Sequence, residues 1–317
     1  MAIVTNTFQT YNAKGIREEL SNVIANISPE ETPFQSNVGS ESVSNAFFEW
    51  QTDSLAATAT TAVISGDDVA SFDSTAATTR LGNYTHIRRR TMIVEDRLEF
   101  VDKAGRDSEI AYQLAKRGKE LKRDVEAVLL SNNARVAGNS TTAPETAGLP
   151  AWLTSNTSFG TSGADPTGDG TDARTDGTQR AFSEAMLKSV MQSAWTAGGN
   201  PSILMVGAYN KTVASGFAGI AETRVAGNDA PTTIIGAADV YVSDFGNITF
   251  VPNRFQRERD AFLLDPEYAS VCYLRPIQQI ELAKTGDAEK RMVLAEFGLK
   301  VANEAAHGII ADLTTSA

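Results

Sequence analysis

RDSEIAYQLAKRGKELKRDVEAVLLSNN, residues 106–133, contains a regular apolar pattern and no proline. Ile110, Leu114, Leu121, Val125 and Val128 recur at intervals of three, four or seven, which places them on one face of an α-helix. Lys116, Lys119, Glu120, Lys122, Arg123 and Glu126 fill the other faces. Lys116 with Glu120, and Lys122 with Glu126, stand at the i,i+4 spacing where opposite charges meet. Gly105 precedes the run, and Asp107 or Ser108 can accept from the first free amides as a cap. The stretch therefore predicts one helix across residues 106–133, a rod of roughly 42 Å at about 1.5 Å per residue. The usual helix has only about 11–12 residues. A rod with a single apolar stripe needs a partner, which the rest of the chain must supply.

Upstream, Ile16, Leu20, Val23, Ile24 and Ile27 share a helical face, and Ser28-Pro29 stops the pattern. Thr32-Pro33-Phe34 continues as an extended or turning arm. AFFEWQT (residues 46–52) and RLGNYTHI (residues 80–87) read as strands from their aromatic and β-branched content. Between them LAATATTAVISGDDVASFDSTAATT is poor in large side chains and predicts a long two-stranded arm with a small-residue tip. Isolated ribbons are marginal in water, so such an arm must lie on something. No Lys or Arg occurs in residues 18–79, whereas Glu18, Glu19, Glu30, Glu31, Glu41, Glu49, Asp53, Asp67, Asp68 and Asp73 do. Arg80, Arg88, Arg89, Arg90 and Arg97 follow closely. An acidic arm beside a basic base suggests contact between copies of the chain. Two separately solvated faces fit the same pattern, and both readings stand.

Downstream, Gly148-Leu149-Pro150-Ala151-Trp152-Leu153 is a turn followed by an apolar anchor. Residues 157–177, dense in Gly, Asp, Ser and Thr, read as a surface loop. Phe182, Met186, Leu187, Val190 and Met191 begin a second amphipathic helix that stops at Gly198-Gly199-Asn200-Pro201. SILMV (residues 202–206) is a buried-strand pattern and residues 209–217 a helical one. Residues 238–242, 247–251, 261–264, 271–274, 277–283 and 291–302 form a mostly antiparallel set of strands, with HGIIADL (residues 307–313) as the last. No internal repeat is present. The class is α+β: one long helix against a sheet, and a second α/β lobe.

Composition narrows the function. A chain of 317 residues with a 42% hydrophobic share can bury a sizeable core, and no run of 18 apolar residues suggests a membrane span. MAIVTNTFQTYNAKG lacks the charged-then-apolar signal pattern, so export by that route is not expected. Cys272 is the single cysteine, which excludes intrachain disulfides and suits synthesis in a reducing cytoplasm. A net charge of −11 argues against general nucleic-acid binding, which needs clustered Lys and Arg.

The chemistry of known sites is missing. His86 and His307, the only histidines, sit in strand-like settings without positioned partners and read as structural. Cys272 between Val271 and Tyr273 reads as a small core residue. Gly118-Lys119 is followed by Glu120 in mid-helix and is no phosphate loop. Asp165, Asp169 and Asp172 echo the alternate carboxylates of a calcium loop, but their flanks are not two helices and a polar solvent loop is the plainer reading. No catalytic, cofactor-binding or metal-ligating residue is expected, and the chain does not read as an enzyme.

The order of parts resembles the major capsid proteins of tailed bacteriophages with the Hong Kong 97 phage capsid fold. The residues that carry the likeness are GIREELSNVI (15–24), ISPEETPF (27–34), GRDSEIAYQL (105–114) and KELKRDVE (119–126). The resemblance spans essentially the whole chain and implies an N-terminal arm at residues 1–43 and an extended loop at 44–98 that overlaps a neighbouring subunit. It further implies a peripheral domain at 99–178, with its spine helix at 106–133, completed by return strands at 266–317, and an axial domain at 179–265. Such a subunit self-assembles into pentamers and hexamers that close an icosahedral head around double-stranded DNA. It is made in the host bacterial cytoplasm and ends in the virion shell. Its partners are copies of itself, with a separate scaffold, portal or decoration protein as further candidates and the packaged DNA held only by enclosure. Some such shells lock through a lysine on the extended loop; here no Lys lies between Lys14 and Lys103, so a non-covalent shell is expected at that site. On this reading Phe47, Phe48 and Trp50 anchor the loop root. The acidic tip, including Asp67 and Asp68, docks near Arg80, Arg88, Arg89, Arg90 and Arg97 of an adjacent copy. The alternative is a β-rich phage tail, fibre or surface module recognising glycans.

Overall fold

The computed structural model of the protein describes residues 31–68, 72–103, 105, 107–217 and 240–316. The helical pattern expected at residues 16–27 lies outside them. In chain order, α1 (Pro33–Asn37) leads into β1 (Gly39–Ser42), β2 (Phe47–Thr52), β3 (Thr79–Tyr84), β4 (His86–Glu95), α2 (Asp96–Phe100) and α3 (Glu109–Leu129). Then follow β5 (Thr157–Ser158), α4 (Glu184–Thr196), β6 (Ile203–Val206), α5 (Ala208–Ser215), β7 (Val240–Ser243) and β8 (Gly246–Pro252). The chain closes with β9 (Ala261–Leu264), β10 (Ala269–Leu282), β11 (Ala288–Val301) and β12 (Gly308–Ile310).

The long helix is present and holds the whole apolar stripe, but it is shorter at both ends than the expected 106–133: α3 has 21 residues, roughly 32 Å of rod. Two side chains fix where it starts. The Ser108 hydroxyl accepts from the Ala111 N–H at 3.1 Å, and the Glu99 carboxylate from the Glu109 N–H at 3.0 Å. Both satisfy amides that a helix start leaves open. Leu121, Val125 and Leu129 are fully buried, with Leu114 and Val128 packed at the margin of the same core.

The expected surface pairs on this helix do not form. Glu120 pairs instead with Arg117 at 2.6 Å. Glu126 is fully buried; it accepts from the Phe34 N–H at 2.6 Å, the Gln35 N–H at 3.1 Å and Asn253 Nδ2 at 2.8 Å. Water is thus replaced by several donors, which makes burial of the charge tolerable. The same carboxylate caps the first turn of α1, and Phe34 enters the core beside α3.

The partner of α3 is a four-stranded sheet in the order β1-β10-β11-β4, antiparallel except for β1 beside β10. The sequence suggested two strands on either side of Arg275-Pro276. The structure has one 14-residue strand, β10, whose ladder slips between Tyr273 and Arg275 and again between Arg275 and Gln278. Pro276 has no N–H to give, and the irregularity absorbs it where β10 has outrun β1.

A six-stranded sheet runs β5-β12-β9-β6-β8-β7. Successive side chains of a strand point to opposite faces, and here both faces are buried. Ile203, Met205, Phe262, Leu264 and Ile309 join the core of α3, Trp152 and Phe297. Leu204, Val206, Ala261, Leu263 and Ile310 join a second core with Phe182, Leu187, Tyr241 and Phe250. The unbroken apolar run SILMV is what a strand buried on two sides requires. Strand β12, near the end of the chain, lies inside this sheet beside β9.

Candidate assembly surface

Strands β2 and β3 pair from Phe47 with Tyr84 to Thr52 with Thr79, and there the ladder ends. The two-stranded part is therefore shorter than the composition of residues 46–87 suggested. Beyond it, residues 53–68 and 72–78 form neither helix nor strand, and one turn closes with the Asp67 N–H donating to the Ile64 carbonyl at 3.0 Å. Leu55 is 99% and Phe72 88% exposed, and Val63 and Ile64 are close behind. Asp67 and Asp68 lie exposed in the same stretch.

The root of this arm is built onto its own body. The Phe47 ring lies 4.6 Å from that of Tyr84 and 5.7 Å from the Arg135 guanidinium, which also donates to the Gly82 carbonyl. Phe48 is buried in a notch that Gly298 leaves open, where a Cβ would stand 2.6 Å from its ring. Trp50 stacks on Phe48 at 5.9 Å and lies tilted against Trp152 at 5.3 Å. All three aromatic residues thus bind the ribbon to the chain's own body, and Trp50 reaches its core.

The five arginines separate into distinct roles. Arg80 pairs with Glu49 across the ribbon. Arg88 and Arg90 are on the face of β4 turned to α3, where Asp124 receives both. Arg90 donates through Nε and Nη2 at 2.7 Å each, and Arg88 through Nε at 3.2 Å. The bonds to Asp124 raise the Arg90 pKa further above its ordinary value. Arg89 alternates to the opposite face with the exposed Ile87 and Ile93. Its cross-strand partner is Leu294, and beyond that, toward the middle of the sheet, comes Gln278. Arg97 is exposed on α2. Among the described residues no carboxylate pairs with Arg89 or Arg97.

The ten singled-out residues therefore form no single cluster within one chain. Asp67 and Asp68 on the arm, Arg89 on the outer side of β4 and Arg97 on α2 face outward, and the other six residues hold the ribbon and β4 in place. Sequence reasoning missed Asp124, Arg135 and Asn83, whose partners are 34 to 216 residues away. No local spacing marks such residues.

The other candidates have structural surroundings. His86 packs 5.5 Å from the Phe297 ring, and burial lowers its pKa. His307 has no exposed surface; burial lowers its pKa too, and its Nδ1 accepts the Asp265 N–H at 3.2 Å. Burial pushes the Cys272 thiol up to about 11, far from a reactive thiolate. In the Asp-rich loop, Asp165 meets Arg174 at 2.6 Å and Thr157 at 2.9 Å, while Asp169 accepts from Thr167 and Thr171. Asp172 accepts from Thr167. These carboxylates are engaged by the loop's own hydroxyls and amides and by one arginine. Among the described residues no three His, Cys, Asp or Glu side chains gather as a metal site, and no helix is long and apolar enough to cross a membrane.

Comparison with known proteins gives this geometry a context. A family model described as SU10 major capsid protein matches residues 3–314. The major capsid protein of Escherichia phage Phieco32 is 30% identical over 344 residues, covering 96% of each chain. Among solved structures, the capsid asymmetric unit of cyanophage A-1(L) superimposes with a TM-score of 0.66 at 12% identity, covering 96% of this chain and 98% of that one. A chain of Gordonia phage Cozz gives 0.61 at 13% identity, covering 98% and 96%.

Proposed function

From the premise that the chain belongs to the SU10 major capsid protein family, we propose how its outward-facing elements build a shell. The protein is the major capsid protein of a tailed phage, with the Hong Kong 97-type α+β fold, and it forms the icosahedral shell of the virion. Residues 1–43 act as N-terminal arm and 44–98 as extended loop. Residues 99–178 with 266–317 form the peripheral domain around α3, and 179–265 the axial domain. Five or six copies close into a ring, and rings close into the head, because heterologous contacts that repeat with a closing rotation do so.

In this proposal residues 53–78 of one copy lie on the outer face of β4 in the next. Leu55, Val63, Ile64 and Phe72 meet Ile87 and Ile93, and Asp67 and Asp68 face Arg89 and Arg97. The supporting observation is the high exposure of those arm side chains, which no core covers among the described residues. Removing each from water contributes about 1.5–3 kcal/mol at most, so a single docking is modest and the closed ring multiplies it. The protein's role is structural, not catalytic. Its net charge of −11 suits a wall that encloses DNA without gripping it. No observation favours the glycan-binding alternative.

The test is Arg89→Glu combined with Arg97→Glu. Reversing Arg88 and Arg90 as well would set carboxylates against Asp124 and disturb α3. The double variant should remain folded and soluble yet form no particles under conditions where the wild type does. Normal shells in electron micrographs would refute the docking.

A further inference from the structure

Tyr84 and Thr85 form the corner where the chain turns from the ribbon into the four-stranded sheet. The ribbon ends with Tyr84 opposite Phe47, and β4 starts with His86 opposite Phe297. Asn83 stands at this corner, fully buried, with both ends of its amide engaged. Its Nδ2 donates to Thr146 Oγ1 at 2.9 Å and to the Leu299 carbonyl at 2.7 Å. Its Oδ1 accepts from the Ala147 N–H and the Tyr84 N–H, each at 2.9 Å. In an antiparallel ladder the N–H and C=O of one residue point to the same side. At Leu299 both point to where β4 has already ended, and the N–H reaches Thr146 Oγ1 at 3.2 Å. Two side chains thus take the place of a missing strand. The body therefore holds the ribbon by hydrogen bonds of fixed direction as well as by apolar packing, which is less directional.

We infer that Asn83 is the positioning residue of assembly: these bonds set the direction in which the arm leaves the body, and hence where residues 53–78 meet the next copy. The inference rests on the arm reading above. Geometry gives it leverage. From Phe48, which pairs with Asn83, the ribbon runs four more residues to Thr52, roughly 13 Å at about 3.3 Å per residue. A tilt of about 10° at the corner moves Thr52 by roughly 2 Å, and the tip further. Arg135 and the Gly298 notch hold the neighbouring strand residues Gly82 and Phe48, but among the described residues Asn83 alone, from β3, bonds both to Leu299 in β11 and to Ala147.

Asn83→Ala in the full chain should yield folded subunits. Amides of Thr79–Tyr84 should exchange at least about tenfold faster, while those of Glu109–Leu129 keep their wild-type rates. The assembled material should be open, irregular or mixed in size. Uniform wild-type shells, or unchanged exchange in β3, would overturn the inference. If Asn83→Ala does not fold, Thr146→Val decides: it keeps side-chain shape and removes one partner, so irregular particles are again expected and uniform ones overturn the idea. Leu121→Ala is the control for stability alone, and should melt earlier yet give uniform shells. A chain in which Asn-Gly replaces residues 53–78 separates the two claims. If that chain still builds normal shells, the arm reading falls. If it builds none while Asn83→Ala builds normal ones, only the role of Asn83 falls.

Discussion

Asp260 has no exposed surface, and Arg257 Nη1 stands 3.0 Å from its carboxylate. Arg174, Arg259 and Asp176 also face it, and burial pushes its pKa up to about 6. An acid that holds its proton more tightly folded than unfolded contributes stability below its unfolded pKa, and that contribution is lost as pH rises through the folded value. Buried His307 works oppositely: its lowered pKa costs stability as pH falls. The informative quantity is therefore the difference between the wild type and Asp260→Asn. From pH 8 to pH 4 the wild type should gain on the order of 2–3 kcal/mol relative to the variant in denaturant titrations. A flat or opposite difference would rule out a raised Asp260. At this scale the sequence was least legible. Glu126 reads by spacing as a surface partner of Lys122, yet its donors Phe34 and Asn253 are 92 and 127 residues away. Charge and spacing identify a residue's near neighbours on a helix, not what folds over it.

Secondary elements were more legible, because periodicity is a local property. The stripe on α3, the run SILMV and the stop at Gly198, which takes a φ of +93°, all appear where the sequence places them. Ends and continuity were not legible: α3 begins late, where Ser108 and Glu99 cap it, and Pro276 interrupts the pattern of β10 without ending the strand. Strand β6 tests the two-sided burial. A strand with one solvated face would tolerate every second substitution. Here Leu204→Ala and Met205→Ala should each cost about 2–5 kcal/mol in thermal or denaturant unfolding. A loss confined to one of the two would mean that one face is open.

Across the whole molecule, the arm adds exposed apolar surface and almost no contacts to its own subunit. Replacing residues 53–78 by Asn-Gly, a turn suited to a ribbon, should leave the melting temperature of the unassembled subunit within about 2 °C of wild type, since each kcal/mol lost shifts a domain of this size by about 2–4 °C. A much larger fall in calorimetry would show that the arm supports its own body.

Taken alone, the sequence determined the α+β class, the long amphipathic helix, the apolar strands and the acidic arm beside a basic base. All of these are written in residue types a few positions apart. Tertiary structure alone decided which charges are shared within the chain and which face outward. It put Arg88 and Arg90 onto Asp124, Glu126 into the core, and Asn83 at the corner of the sheet. The reason is physical: hydrogen bonds and ion pairs act over about 3 Å, and the chain chooses those neighbours only when distant segments pack.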